Sequence, residues 1–394
     1  MASKGKTTKK SNKKAGKAQI LITGFPGFLA SRLVKELLEK DGEAHFSFLV
    51  IASMVPEASR RLEQIEARYP SFAGRWSVFT GDITDPLLGL TKAEYDKLVK
   101  KTTHVWHLAA IYDLAVGEEI AYRVNVMGTV HVLDFCQACA KLARLNYVST
   151  CYVSGERKGT IYENELDEGQ AHKNFYEATK FWAEVEVQRR MDDIPTVIFR
   201  PGITVGDSKT GETEKYDGPY YFFTVIHQLP RWLPIVNIGR GDALVNIVPI
   251  DFVARAMVHI GTKPDTDGKV YQIADPNPMR SRDIMALILS CMDRPRAFGR
   301  APSGLVERTL GRDLVQKKIG IPQESLIYFN HDARYDSTNT QRALQDSDVR
   351  CPHLSTYMQT LVDYFLLHPD DPRGPSKVIA ESPVEPAAMP TSLR

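Results

Sequence analysis

Residues 18–40 read "AQILITGFPGFLASRLVKELLEK", and the fold is decided there. A short apolar run breaks at a glycine-rich turn, and the turn opens directly into a stretch with apolar residues at helical spacing. Gly24, Gly27 and Ala30 fit the pattern G-x-x-G-x-x-[GA] at this strand–helix junction. Small residues there allow a tight turn, let a pyrophosphate approach the backbone, and let helix and strand pack closely. The helix N-terminus adds unpaired N–H groups and the positive end of its dipole. Phe25, Pro26, Phe28 and Leu29 complete this candidate phosphate loop.

Outward from the loop the same rhythm repeats. "HFSFLVI" (45–51), "RWSVFT" (75–80), "HVWHLAA" (104–110), "LNYVST" (145–150) and "PTVIFR" (195–200) read as strands. The segments 56–69, 91–101, 118–142 and 173–191 between them read as helices. Short apolar strands separated by helices predict a parallel sheet covered on both faces. After Arg200 the rhythm breaks into a Gly-, Asp- and Lys-rich loop and the aromatic run "PYYFFTVIHQLPRWLPIV" (219–236). It returns in "ALVNIVPIDFVARAMVHI" (243–260) and "KVYQIAD" (269–275), and 281–367 reads as mostly helical. The expected class is therefore α/β: a Rossmann-type doubly wound parallel sheet with a smaller, mainly helical C-terminal substrate lobe. Its divisions are a disordered basic tail over 1–17, the nucleotide-binding core over 18–205, a lobe interleaved with the last core strands over 206–368, and a disordered Pro-rich tail over 369–394.

Composition removes several function classes. The first 19 residues hold seven lysines and no acid, and subtracting those seven charges from the chain's net +2 leaves the remainder at −5. A mildly acidic body is not a nucleic-acid binder. No run of 18 apolar residues occurs, so membrane contact is expected to be at most peripheral. Five cysteines, an odd number, suit a reducing, cytoplasmic setting. Cys136 and Cys139 form a C-x-x-C within the helical run 130–142, with no second ligand pair, which reads as core packing rather than redox or metal chemistry.

The cofactor edge reads next. The second strand ends without an acid to bind a ribose 2′-hydroxyl, while Ser53, Arg60 and Arg61 follow closely enough to serve a 2′-phosphate. This favours NADPH and leaves NAD as the second choice. Asp82 and Ile83, in "GDIT" (81–84), stand at the sheet's carboxyl edge, where the carboxylate accepts from an adenine amino group or caps the turn. Leu108, Ala109 and Ala110 end the fourth strand with small residues against the cofactor.

The catalytic candidates follow the fifth strand. Thr150 ends it, and "NFYEATKFWAEVEV" (174–187) carries Tyr176 and Lys180 four apart on one helix face. About one Y-x-x-x-K is expected from composition alone, so the pair gains weight only from its place after the strand end. A cation near a phenol lowers its pKa, which would fit Tyr176 as a general acid. Asn125, on the preceding helix, is placed to link to the lysine through water or backbone.

With "TGFPGFLA", "GDIT", "HLAA", "VNVMGT", "YVST" and Y-x-x-x-K in order, the chain resembles the extended short-chain dehydrogenase/reductases over about residues 18–290. "YVSTCYVSG", "YEATKFWAE" and "FRPGITVGDSKTGE" are most similar to the fatty acyl-CoA reductase and thioester-reductase branch, the male-sterility type. The resemblance implies a catalytic set of Thr150, Tyr176 and Lys180, cofactor contacts at Gly24, Gly27 and Asp82, and a nicotinamide-side loop of Pro201, Gly202 and Ile203. Ala30 replaces the usual third glycine, and Ile51 stands where many members carry a basic residue.

The resemblance further implies hydride transfer from NAD(P)H to an acyl thioester or fatty aldehyde carbonyl, in a monomer or homodimer. Tyr152, Tyr220 and Phe223 are the candidate contacts for a lipid-like substrate, the last two as an apolar wall or as the lobe's own core. The alternatives are another carbonyl substrate (a sterol, a flavonol-like ketone or a sugar nucleotide) and a cofactor-binding scaffold without catalysis.

Overall fold

A computed structural model describes residues 17–112, 116–235, 237–238, 241–301 and 331–371. Both expected disordered tails, apart from a few residues, and the segment 302–330 of the expected lobe lie outside the described residues. The chain runs β1 (Gln19–Thr23), α1 (Phe28–Lys40), β2 (His45–Val50), α2 (Val55–Arg68), β3 (Trp76–Thr80), α3 (Lys92–Lys101) and β4 (His104–His107). The long helix that follows is α4 (Glu118–Ala121), a π turn (Tyr122–Met127) and α5 (Gly128–Ala138). Then come β5 (Arg144–Val148), the short β6 (Gly159–Ile161), α6 (Phe175–Arg189), β7 (Thr196–Pro201) and β8 (Ile203–Val205). The C-terminal part holds α7 (Tyr220–Gln228), four short strands β9 (Asn237–Ile238), β10 (Leu244–Val245), β11 (Ile247–Pro249) and, after α8 (Ile250–Thr262) and β12 (Lys269–Ile273), β13 (Met279–Arg280). It ends with α9 (Ser281–Cys291), β14 (Arg300–Ala301), β15 (Ala333–Tyr335), α10 (Thr338–Ala343) and α11 (Met358–Leu367).

Seven strands form the main sheet in the order β12-β7-β5-β4-β1-β2-β3, all parallel. The doubly wound sheet is thus present, and its order reverses between β1 and β4, the place where such sheets bind ligands. Period-two alternation builds both faces from single strands. Ile20 and Ile22 point to the layer made by Leu33 and Val34 of α1 and Phe252 and Met257 of α8. Leu21 between them joins Leu133 and Phe135 of α5 and Ala183 and Val187 of α6 on the opposite face. A separate cluster closes the lobe, with Tyr220 and Phe223 of α7 packed among Ile284 and Ile288 of α9 and Leu361 and Phe365 of α11. Among the described residues after Arg280, α9, α10 and α11 are helical as expected, and the short β15 adds to β6 beside the catalytic loop.

Candidate active site

The phosphate loop is built by close approach. Gly24 holds φ +86°, and a Cβ there would lie 2.6 Å from the Ala109 nitrogen and 2.7 Å from the Leu108 carbonyl carbon. The β4 end therefore sits directly against the loop, which joins two of the predicted cofactor segments. Gly27 N donates to Gly24 O at 2.9 Å, and a Cβ on Gly27 would meet that oxygen. Gly27 is the N-cap of α1 and makes no side-chain cap, so the first N–H groups of the helix face outward for a ligand to use. A pyrophosphate fits this cradle: every approach that a side chain would block is made by glycine. Phe28 and Leu29 are half-buried at its mouth, whereas Phe25 is buried and packs its ring 4.7 Å from that of Phe48. Phe25 and the buried Pro26 thus shape the loop from below, and any cofactor contact they make is through backbone.

Beyond β2, Ile51, Ala52 and Ser53 lie exposed on a 3-10 turn. The two arginines part ways. Arg60 turns to solvent and pairs with Glu57 at 2.8 Å. Arg61 is the inward one: its Nη1 donates to Ser31 Oγ of α1 at 3.1 Å, and it also pairs with Glu57 and Glu214. Consecutive helical residues point about 100° apart, so only Arg61 is directed at the phosphate-loop helix, while the predicted contact Arg60 faces solvent. Asp82 Oδ1 accepts from Thr84 N at 2.8 Å, which makes this carboxylate a turn cap at the sheet edge. Ile83 is buried against Gly128 of α5.

Thr150, at the carboxyl edge of β5, caps the turn Cys151–Ser154 by accepting from Tyr152 N at 3.3 Å. Its hydroxyl acts on the Tyr176 phenol, opposing the effect of burial there. Asn174 caps α6 by accepting from Glu177 N at 2.9 Å, which fixes Tyr176 in the first turn. Lys180, one turn on and 3% exposed, donates to Tyr147 Oη at 3.0 Å and to the Val148 carbonyl at 2.8 Å. The three predicted catalytic residues are therefore brought to one strand–helix junction.

One expectation about them changes. Burial pushes the Tyr176 phenol up to about 12, with the Thr150 hydrogen bond opposing it. The residue as a whole is only half-buried. Lys180 does not lower it in this arrangement, because its ammonium turns to Tyr147 and Val148 and is itself pushed down to about 8 by burial, with Glu184 acting to raise it. Asn125 takes a defined place. It sits in the π turn, where its Oδ1 accepts from Ile111 N at 2.8 Å and its Nδ2 donates to Ile111 O and Thr179 Oγ1 at 3.0 Å each. It ties the loop after β4 to α6 beside Lys180, without contacting the lysine.

Across the site, Pro201 ends β7 and Gly202 is wedged against Asn246, where a Cβ would meet Oδ1 at 2.7 Å. Gly202 N donates to Ile273 O at 3.1 Å and Ile203 N to Asn246 O at 2.9 Å, so this loop is held by backbone from both neighbours. On the substrate side, Tyr152 packs edge-on against Tyr335 of β15 at 6.0 Å. Tyr220 and Phe223 are 1% and 0% exposed. They are corrected from a substrate wall to lobe core: the Tyr220 hydroxyl accepts from Gly206 N at 3.0 Å, which satisfies the buried phenol internally. Sequence reading missed Glu184, Tyr147 and Arg200; the repeat of four from Tyr176 through Lys180 to Glu184 is the signal that pointed to the first.

The NAD-binding family described as "Male sterility protein" matches residues 22–257. The chain belongs to this family. It is an NAD(P)-dependent oxidoreductase of the extended short-chain dehydrogenase/reductase type. Among curated relatives it is 27% identical over 393 residues to "Aldehyde reductase lnaA" of Aspergillus flavus, covering 90% of this chain and 37% of that protein. It is 25% identical over 367 residues to a linear gramicidin synthase of Brevibacillus parabrevis, covering 88% of this chain and 7% of that one. "Fatty acyl-CoA reductase wat" of Drosophila melanogaster is 24% identical over 274 residues, 61% of this chain and 53% of its own. The chain thus spans less than two thirds of the length of each of these relatives. Among solved structures, the terminal R domain from the myxalamid PKS-NRPS biosynthetic pathway superposes with a TM-score of 0.74 at 25% identity, covering 91% of this chain and 92% of that one.

Proposed function

We propose that this chain reduces the carbonyl of an acyl thioester, of the fatty acyl-CoA kind, or of a fatty aldehyde. NADPH is the favoured donor and NADH the second. One observation carries the reading: Thr150 at the carboxyl edge of β5, the strand beside β4, stands with Tyr176 and, one turn on, Lys180, whose ammonium is held by the same strand end. The activities for which the aldehyde reductase and fatty acyl-CoA reductase relatives are named support the substrate class. Arg61, beside Ser31, supports the preference for a 2′-phosphate.

The reduced nicotinamide, when bound, supplies the hydride. The chain supplies the rest. A phenol held near 12 stays protonated at neutral pH, so Tyr176 Oη is an acid with a proton to give to the carbonyl oxygen as negative charge develops there. Thr150 Oγ1 orients that oxygen. Lys180, held by Tyr147 Oη and the Val148 carbonyl, offers its ammonium to a cofactor ribose. An aldehyde gives an alcohol in one such step. A thioester gives a hemithioacetal, which expels the thiol and leaves an aldehyde. The expected setting is cytoplasmic and the expected state a monomer or homodimer.

The test is NADPH oxidation by the purified chain with a panel of long-chain acyl-CoA thioesters, fatty aldehydes, ketones and sugar nucleotides. Turnover of thioester or aldehyde is expected. Turnover confined to ketones or sugar nucleotides overturns the substrate class and favours the alternative carbonyl reading.

A further inference from the structure

The second strand ends without an acid of its own, but the fold brings one to that edge from far along the chain. Glu214 lies in the loop 206–219 between β8 and α7, and its carboxylate pairs with Arg61 Nη1. The same nitrogen donates to Ser31 Oγ at 3.1 Å, and Ser31 Oγ donates in turn to Pro26 O of the phosphate loop at 3.0 Å. The pair is mostly buried, its side chains 13% and 21% exposed. The loop is anchored on both sides of Glu214. Before it, Asp207 pairs with Arg32 of α1 at 2.8 Å, and Ser208 Oγ donates to Asp251 of α8 at 2.7 Å. Gly211 is pressed on α11, where a Cβ would lie 2.4 Å from Thr360 O. After it, Tyr216 Oη donates to His368 O at 2.8 Å. Backbone held at both ends thus presents this carboxylate to Arg61.

We propose that Glu214 is a specificity-determining residue for the cofactor, competing with a 2′-phosphate for Arg61 and so narrowing the advantage of NADPH over NADH; this role rests on the cofactor reading above. Arg61 also pairs with Glu57, but Glu57 belongs to α2 itself and is shared with Arg60. Glu214 is the acid that reaches the guanidinium from another segment. A 2′-phosphate must take Arg61 from Glu214 or lie beside it as a like charge, which is unfavourable either way. A free 2′-hydroxyl carries no charge, and it is a donor that a carboxylate accepts. An ion pair at a part-exposed edge adds little to stability, so stability alone does not account for a loop built to hold this one in place.

The test is equilibrium binding to the full chain by isothermal titration calorimetry. The probes are NADPH with NADH, and adenosine 2′,5′-bisphosphate with 5′-AMP, the members of each pair differing only in the 2′-phosphate. Glu214→Gln is expected to tighten NADPH and the bisphosphate about tenfold and to leave NADH and 5′-AMP within about twofold. In an Arg61→Ala background the gain is expected to fall to about twofold or less, because no guanidinium is left to compete for. Where Glu214→Gln does not yield folded protein, Glu214→Asp replaces it, with a smaller gain of the same sign. Unchanged or weaker NADPH binding in the folded variant overturns the proposal. So does an equal tightening of NADH, or a gain that persists in full without Arg61. Absence of binding by all four nucleotides overturns both this role and the cofactor reading. A selective gain in a protein that reduces no carbonyl leaves the role standing, and the reductase reading fails.

Discussion

Two helices begin with a tyrosine in their first turn, and the two phenols have opposite fates. Tyr176 of α6 is half-buried at the sheet edge, where the Thr150 hydroxyl acts on its phenol. Tyr220 of α7 turns inward and accepts from the Gly206 backbone, within an aromatic cluster that includes Phe223 and Phe365. Burial pushes both phenols up. What separates them is the partner. A side-chain hydroxyl on a site edge leaves Tyr176 a lone pair and a proton to offer a substrate. A backbone N–H in a closed core commits Tyr220 to architecture. Residue type and helix position do not distinguish a catalytic tyrosine from a structural one; the element packed against it does.

The contrast can be broken in order of expected effect. Tyr176→Phe should lower kcat by about 10²- to 10⁴-fold, the range of a lost general acid, with an unchanged melting temperature. An equal loss in stability would make Tyr176 a structural residue after all. Phe223→Ala should do the reverse: a destabilisation of about 3–5 kcal/mol for a fully buried ring, read by denaturant unfolding, with specific activity retained by the folded fraction. A selective loss of long-chain substrates at unchanged stability would restore it to the substrate wall. Tyr220→Phe should cost about 1–3 kcal/mol, because the Gly206 N–H is left buried without its acceptor, again with activity kept. Arg61→Ala is the mildest. Loss of one charge-assisted contact to a 2′-phosphate should raise KM for NADPH about tenfold and leave that for NADH unchanged, while Arg60→Ala changes neither. Equal effects of the two arginines would show that their different orientations in α2 do not matter.

Much of this is legible in the sequence because it is local. The glycine turn at residues 24–27 needs close backbone approach, which only glycine permits, and a helix must follow it. The alternation of apolar strands with helices dictates a parallel sheet. The Tyr176–Lys180 pair shares a helix face by geometry. What is not legible depends on contacts far along the chain. Arg61 and Arg60 are adjacent in sequence, and only the packing of α2 against α1 decides which one faces Ser31. The aromatic run at 220–223 reads equally as a wall or a core until α9 and α11 are seen to close over it. The sequence puts Asn125 on the helix before the site, but its partners Ile111 and Thr179 come from two other segments of the chain. The partners of Lys180, Tyr147 and Val148, lie on β5 more than thirty residues earlier, outside the Y-x-x-x-K motif.

Single-turnover hydride transfer is the most direct measurement, with NADPH prebound and a fatty aldehyde or acyl-CoA added, in wild type and Tyr176→Phe. The account predicts that the variant binds NADPH as tightly as the wild type and transfers hydride at least about a hundredfold more slowly. Hydride transfer at the wild-type rate in the variant would contradict it, and would remove Tyr176 from the chemistry.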